Sequence, residues 1–179
     1  MVATAPSPSA EERRANAGFE ALLWGFARPG RICQLPANGE DSLIEALIDR
    51  ECSVYCADPL LMAKIMHQGA QICDPAQADH LFLGALSDLD ILRQLRLGSD
   101  LYPDEGATVI LRAGFGSGPL LRLTGPGVDG AVEIAVAGLP DGFWSLRAAM
   151  IRYPMGFELV LLDGDRLIAL PRSTQVEML

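Results

Sequence analysis

At 179 residues, the chain is long enough for one domain with a real core and leaves little room for two. Half of it is hydrophobic and its mean hydropathy is +0.23, yet no apolar run approaches the ~18 residues of a membrane span. A net charge of −9 argues against nucleic acid, whose phosphate backbone needs clustered cations.

Met1 to Ala10 is rich in Ala, Ser and Pro, carries no basic residue and has no apolar core of its own. It reads as a short disordered lead (1–10) before a single α/β domain (11–179), and as no signal peptide, which makes the expected location cytoplasmic. The apolar surplus implies more apolar surface than a monomer would expose, hence a partner or a dimer. Ser9-x-x-Glu12 is a capping box that opens a helix. Phe19, Leu22, Leu23 and Phe26 follow at i, i+3, i+4 and i+7 and put one apolar stripe on that helix, which Arg28-Pro29-Gly30 stops. A second capping box, Ser42 to Glu45, predicts a helix carrying Leu43, Ile44, Leu47 and Ile48. After a strand at 53–57, Asp58-Pro59 supplies an N-cap and an N1 proline for a helix that ends at Gly69.

Asp79 to Leu86 has the length of an apolar strand, and Ser87-Asp88 predicts a further helix with Leu89, Leu92 and Leu95 inward and Gly98 as its stop. From Gly106 onward strands dominate, at 107–113, 119–124, 131–136, 157–163 and 166–170, with a helix near 142–152. Asp163-Gly164-Asp165 is a hairpin turn, and Gly125-Pro126-Gly127 a turn as well. Continuous apolar runs such as Thr108 to Leu111 and Leu159 to Leu162 predict strands covered on both faces. The expected architecture is a three-layer α/β/α domain with a mixed sheet.

Signals for chemistry are sparse. Gly114-Phe115-Gly116-Ser117-Gly118 has the composition of a phosphate cradle, but strands on both sides predict a hairpin turn rather than a strand-to-helix loop. Cys33, Cys52, Cys56 and Cys73 form no C-x-x-C, and with His67 and His80 they match no zinc or iron–sulfur spacing, so no metal site is expected. No G-x-S-x-G elbow is present. Lys64 is the only lysine, and it falls mid-helix, where a solvated face accounts for it better than a pyridoxal phosphate Schiff base does. The other cations are all arginines, a bias that suits anion contacts and that genome composition alone also produces. Arg172-Ser173-Thr174, just past the last predicted strand, offers a guanidinium fork beside two hydroxyls at a strand end, where α/β folds place ligands. The bland reading of these residues is a chain exit or a subunit contact.

Two segments, GATVILRAGFGSGPLLRLTGPGV (106–128) and YPMGFELVLLDGDRLIALPRSTQVEML (153–179), together with FEALLWGFARPG (19–30), resemble the PhnH subunits of the carbon–phosphorus lyase core complex. The resemblance runs from about Phe19 to Leu179; residues 43–99 match by layout more than by residue, and the lead does not match. It implies a fold similar to that of pyridoxal-phosphate-dependent transferases, without the cofactor. It implies G, I and J subunits as partners, self-pairing when alone and pairing with the related J subunit in the complex. The work of that assembly would be alkylphosphonate breakdown, in which adenine is displaced from ATP and the phosphonate is joined to C1 of the ribose. No catalytic residue carries over, and Cys52 and Cys56 do not reproduce the cluster cysteines of the J subunit. Two functions follow as expectations: an accessory subunit without catalytic residues of its own, or a subunit that binds a ribose-triphosphate or phosphonate intermediate through Arg122, Arg172, Ser173 and Thr174. A free-standing pyridoxal enzyme is disfavoured by Lys64.

Overall fold

The computed structural model describes residues 7–179; the first six residues of the predicted lead lie outside the described residues. Helix α1 (Ala10–Ala27) begins on the expected capping box, with the Ser9 hydroxyl accepting from Glu12 N and the Glu12 carboxylate accepting from Ser9 N. Its buried face takes in only half of the predicted apolar stripe, Leu22 and Phe26. Gly18, Ala21, Leu22 and Gly25 face the core, while Phe19, Leu23 and Trp24 stand 51%, 57% and 46% exposed. Close approach explains the shift. A Cβ at Gly25 would lie 2.8 Å from Leu167 Cδ1 and 3.1 Å from Ala169 Cβ, so only the small-residue face can lie on the sheet.

Strand β1 (Cys33–Gln34) leads to helix α2 (Gly39–Leu47), which starts three residues before the second predicted capping box. Asn38 is the N-cap, and Ser42 lies inside the helix, where its buried hydroxyl accepts from Ala37 N at 3.1 Å. Gly39 N donates to Gly164 O at 3.0 Å, which seats α2 against a turn distant in sequence. Strand β2 (Ser53–Cys56) and helix α3 (Pro59–Gln68) follow as predicted, with Asp58 accepting from Leu60 N and Gly69 closing α3 in the left-handed region at φ +89°. After β3 (Gln71–Ile72) and β4 (His80–Gly84), the segment predicted as an α-helix is a 3-10 helix, Leu89–Gln94, capped by Asp88.

The remaining elements are β5 (Thr108–Arg112), β6 (Gly114–Thr124), β7 (Val132–Ala137), α4 (Phe143–Met150), β8 (Glu158–Asp163), β9 (Arg166–Leu170) and β10 (Gln175–Met178). They build a seven-stranded mixed sheet in the order β1-β9-β8-β5-β4-β2-β3 and a three-stranded antiparallel sheet in the order β10-β6-β7. In the large sheet β2, β3, β4, β5 and β8 run parallel, and β9 runs antiparallel to both of its neighbours, β8 and β1. β8 and β9 form the expected hairpin.

The glycine-rich stretch after β5 corrects the sequence reading. β5 and β6 are not a hairpin: they belong to different sheets, and Ala113 alone carries the chain from one to the other. Gly116 and Gly118, at φ +85° and +88°, lie in a bulge of β6 between Phe115 and Leu120. A Cβ at Gly118 would lie 2.6 Å from Val136 O, so the bulge hugs β7 and leads into no helix.

The large sheet is buried on both faces. Val109 and Leu111 point to one core and Ile110 to the other; Leu159 and Leu161 alternate in the same way with Val160 and Leu162. Helices α1, α2 and α3 cover one face through Leu22, Leu43, Ile44, Leu61 and Ile65. The other face carries no plain helical layer, as a three-layer α/β/α reading would require. The small sheet (Leu121, Leu123, Val136), α4 (Phe143, Trp144) and the 3-10 helix (Leu92) cover it jointly.

Candidate functional site

Helix α4 starts on Gly142, at φ +84°, after a turn in which Phe143 N donates to Pro140 O at 3.1 Å. It buries Phe143, Trp144 and Arg147. The spacing i, i+1, i+4 puts a guanidinium on the same face as two large aromatic rings, and Phe143 meets Trp144 edge-on at 5.0 Å between centroids. Arg147 is 2% exposed. Its Nη1 donates to Thr174 O at 3.2 Å and its Nη2 to Pro171 O at 2.9 Å, and its guanidinium carbon stands 6.0 Å from the Phe157 ring centroid. Among the described residues its Nε has no partner. Burial pushes its pKa down to about 10, partly countered by the nearby Glu158 carboxylate, so Arg147 is still a cation at neutral pH.

The segment leaving β9 turns at Pro171, with Thr174 N donating to Pro171 O at 2.9 Å, and enters β10 at Gln175. Arg172 is held from three sides. Its backbone N and its Nε donate to the two Glu158 oxygens at 2.7 and 2.6 Å, and its Nη1 donates to Pro103 O and, at 3.4 Å, to Pro154 O. The guanidinium expected to grip an anion therefore clamps the chain exit to β8. Ser173 is half-buried beside it. Thr174 is 2% exposed, and its Oγ1 has no partner among the described residues.

A cavity of about 620 Å³ opens between α4 and this segment. Trp144, Arg147, Ala148 and Ile151 line it from the helix, Pro126 and Tyr153 close its edges, and Arg172 to Val176 form the opposite wall. Three of the four residues singled out in the sequence thus share one cavity. Arg122 does not line it; it is exposed on β6, in register with Glu133 on β7 and Glu177 on β10, where two carboxylates oppose anion binding. Sequence reasoning missed Arg147. Its signal was an arginine in phase with Phe143 and Trp144 on a short apolar helix.

The other reactive side chains are engaged elsewhere. Burial is the main force raising the thiol pKa of Cys33, Cys52, Cys56 and Cys73, so none is a thiolate at neutral pH. Among the described residues, no three His, Cys, Asp or Glu side chains gather in a metal-binding group. Lys64 is exposed and paired with Asp41. Arg112, at the carboxyl end of β5, is pinned by Glu40 at 2.6 Å and Asp58 at 2.9 Å.

The model of the bacterial phosphonate metabolism protein PhnH matches residues 8–177. The chain belongs to the PhnH family. It is 32% identical over 191 residues to a protein of Stutzerimonas stutzeri provisionally named the C-P lyase subunit protein HtxG, with 99% of this chain and 95% of that protein covered. It is 33% identical over 181 residues to the alpha-D-ribose 1-methylphosphonate 5-triphosphate synthase subunit PhnH of Rhizobium meliloti (strain 1021), covering 91% of this chain and 90% of that one. The family match runs from before α1 into β10, so the cavity lies wholly within the matched region. No helix of the described residues is long and apolar enough to cross a membrane.

Proposed function

We propose that this PhnH-family chain is an accessory, non-catalytic subunit of a carbon–phosphorus lyase core complex, acting as one unit over residues 11–179 in the cytoplasm. In this reading it works with G, I and J subunits in the step that joins a phosphonate to the ribose of ATP, giving ribose 1-phosphonate 5-triphosphate. It pairs with itself when alone and with the J subunit in the complex. The observation that carries the reading is its likeness, over nearly its whole length, to two proteins named as subunits of such systems.

The side-chain chemistry agrees with a subunit that acts through others. The thiols are protonated, Lys64 and Arg112 are ion-paired, and Arg172 serves to hold the chain together. The exposed Phe19, Leu23 and Trp24 of α1 supply apolar surface of the kind a partner covers. We further propose that the fold is related to pyridoxal-phosphate-dependent transferases and has lost the cofactor. The mixed sheet with a parallel centre supports that relation, and the sole lysine, exposed on a helix and bound to Asp41, supports the loss. The test is co-expression of the tagged chain with the G, I and J subunits encoded in the same genome, followed by purification. Recovery of a stoichiometric complex supports the proposal; recovery of the tagged chain alone, with the other subunits soluble, overturns it.

A further inference from the structure

We propose that the cavity between α4 and the segment 171–176 binds a small organic anion with an apolar body, its charged head directed to Arg147 and Thr174. This inference goes beyond membership of a complex and stands or falls independently of it.

Charge is the first argument. Among the described residues the only charged side chains on the cavity wall are those of Arg147 and Arg172, and the one carboxylate that engages them is Glu158, which gives both of its oxygens to Arg172. Arg147 hydrogen-bonds only to backbone carbonyls. The wall therefore carries one net positive charge within a chain of net charge −9. In a partly desolvated setting such a charge acts strongly on a small anion.

Unmet hydrogen bonding is the second argument. Nε of Arg147 is a donor without an acceptor, and Oγ1 of Thr174 can donate as well as accept. Buried polar atoms without partners are rare and costly, and two of them belong to residues that line the same cavity and are joined by the Arg147 Nη1–Thr174 O hydrogen bond. An oxyanion head completes both. Both atoms are buried, so binding includes a displacement of the Thr174 side chain.

Shape selects the rest of the ligand. Trp144, Ile151 and Val176 offer an apolar floor, and about 620 Å³ lies within the range of small-molecule sites. A triphosphate brings several negative charges to a wall with a single net positive one. Inorganic phosphate leaves the apolar floor wet. An aryl or alkyl phosphonate or carboxylate satisfies both parts of the site.

The experiment titrates phenylphosphonate, benzoate, inorganic phosphate and ATP into the full chain, by calorimetry and by tryptophan emission. A Trp24→Phe background leaves Trp144 as the sole reporter, since the chain has 2 tryptophans. Phenylphosphonate or benzoate is expected to bind at least tenfold more tightly than phosphate or ATP and to change Trp144 emission; the tighter of the two identifies the preferred head group. Ala148→Phe, at an exposed rim position, should abolish binding, and Thr174→Val should weaken it about fivefold to tenfold with no loss of melting temperature. Should Ala148→Phe fail to fold, Thr174→Val decides. The proposal is overturned if neither organic anion binds, if phosphate or ATP binds as tightly, or if binding is unchanged in Thr174→Val.

Discussion

The two faces of the large sheet are packed by different means. Under α1, α2 and α3 the core is apolar but for the Ser42 hydroxyl, which accepts from Ala37 N: Phe82, Leu43, Ile44 and Ile65 are no more than 1% exposed, and the charged pairs, Arg112 with Glu40 and Asp58 and Lys64 with Asp41, stay at the rim. Under the small sheet and α4 the core is equally tight at Phe157 and Leu159, but it admits a buried cation, a buried hydroxyl and a cavity. Burying Arg147 carries a desolvation penalty that its hydrogen bonds to Thr174 O and Pro171 O offset. The helical face keeps its charges at the rim, and the opposite face buries polar groups beside a cavity.

Four measurements test that division, from the largest effect to the smallest. Phe82→Ala on the helical face should lower unfolding free energy by ~3–5 kcal/mol in urea denaturation, through lost burial and the cavity left behind. It should leave phenylphosphonate binding unchanged in whatever fraction stays folded; a matching loss of affinity would show that the two faces are not separate. Arg147→Met should lower stability by about 1–3 kcal/mol, because Pro171 O and Thr174 O lose their donor while the desolvated charge is relieved. It should also abolish anion binding, and retained binding would move the anchor elsewhere.

Acid should weaken the fold through His80 on β4. Burial holds its pKa below the ordinary 6.5, despite attraction from Asp79 and Asp49, and its Nδ1 has no partner among the described residues. As pH falls through the range of an unfolded histidine, the unfolded chain takes up a proton that the folded chain refuses. Stability therefore falls on acidification and returns as pH rises. Denaturation midpoints at about pH 7.5 and about pH 5.5 should differ in the wild type and differ less in His80→Gln; equal slopes in the two proteins would contradict this. The smallest effect is expected from Thr174→Val, which replaces an unpartnered buried hydroxyl by a methyl group of the same shape. Its melting temperature should match or slightly exceed that of the wild type.

What was legible in the sequence was local chemistry. Ser9 with Glu12, Asp58 with Pro59, Gly69, and the Gly164 turn each fix a helix end or a hairpin within a few residues, and each stands where the spacing put it. The apolar runs of β5 and β8 announced strands covered on both faces, as alternate burial confirms. What was not legible depended on distant partners. Ser42 looks like a cap until Gly164 is seen to seat the helix three residues earlier. The stripe of Phe19 and Leu23 looks like a core face until Gly25 is seen against Leu167. β5 and β6 read as a hairpin because sheet membership is settled at Ala113 by Leu162 O, a residue far along the chain. Strand β10 is four residues long and owes its pairing to β6. At the site, Arg172 and Thr174 were visible as residue types at a strand end, whereas the commitment of Arg172 to Glu158 and the burial of Arg147 are properties of packing alone.

The measurement that bears most directly on the proposed role is reconstitution of ribose 1-methylphosphonate 5-triphosphate formation from ATP and methylphosphonate by G, I and J subunits from the same genome, with and without this chain. Product that forms only when the chain is added, at a rate that saturates at stoichiometric amounts, is the expected result. Product that forms at the same rate without it would contradict an accessory role in that step.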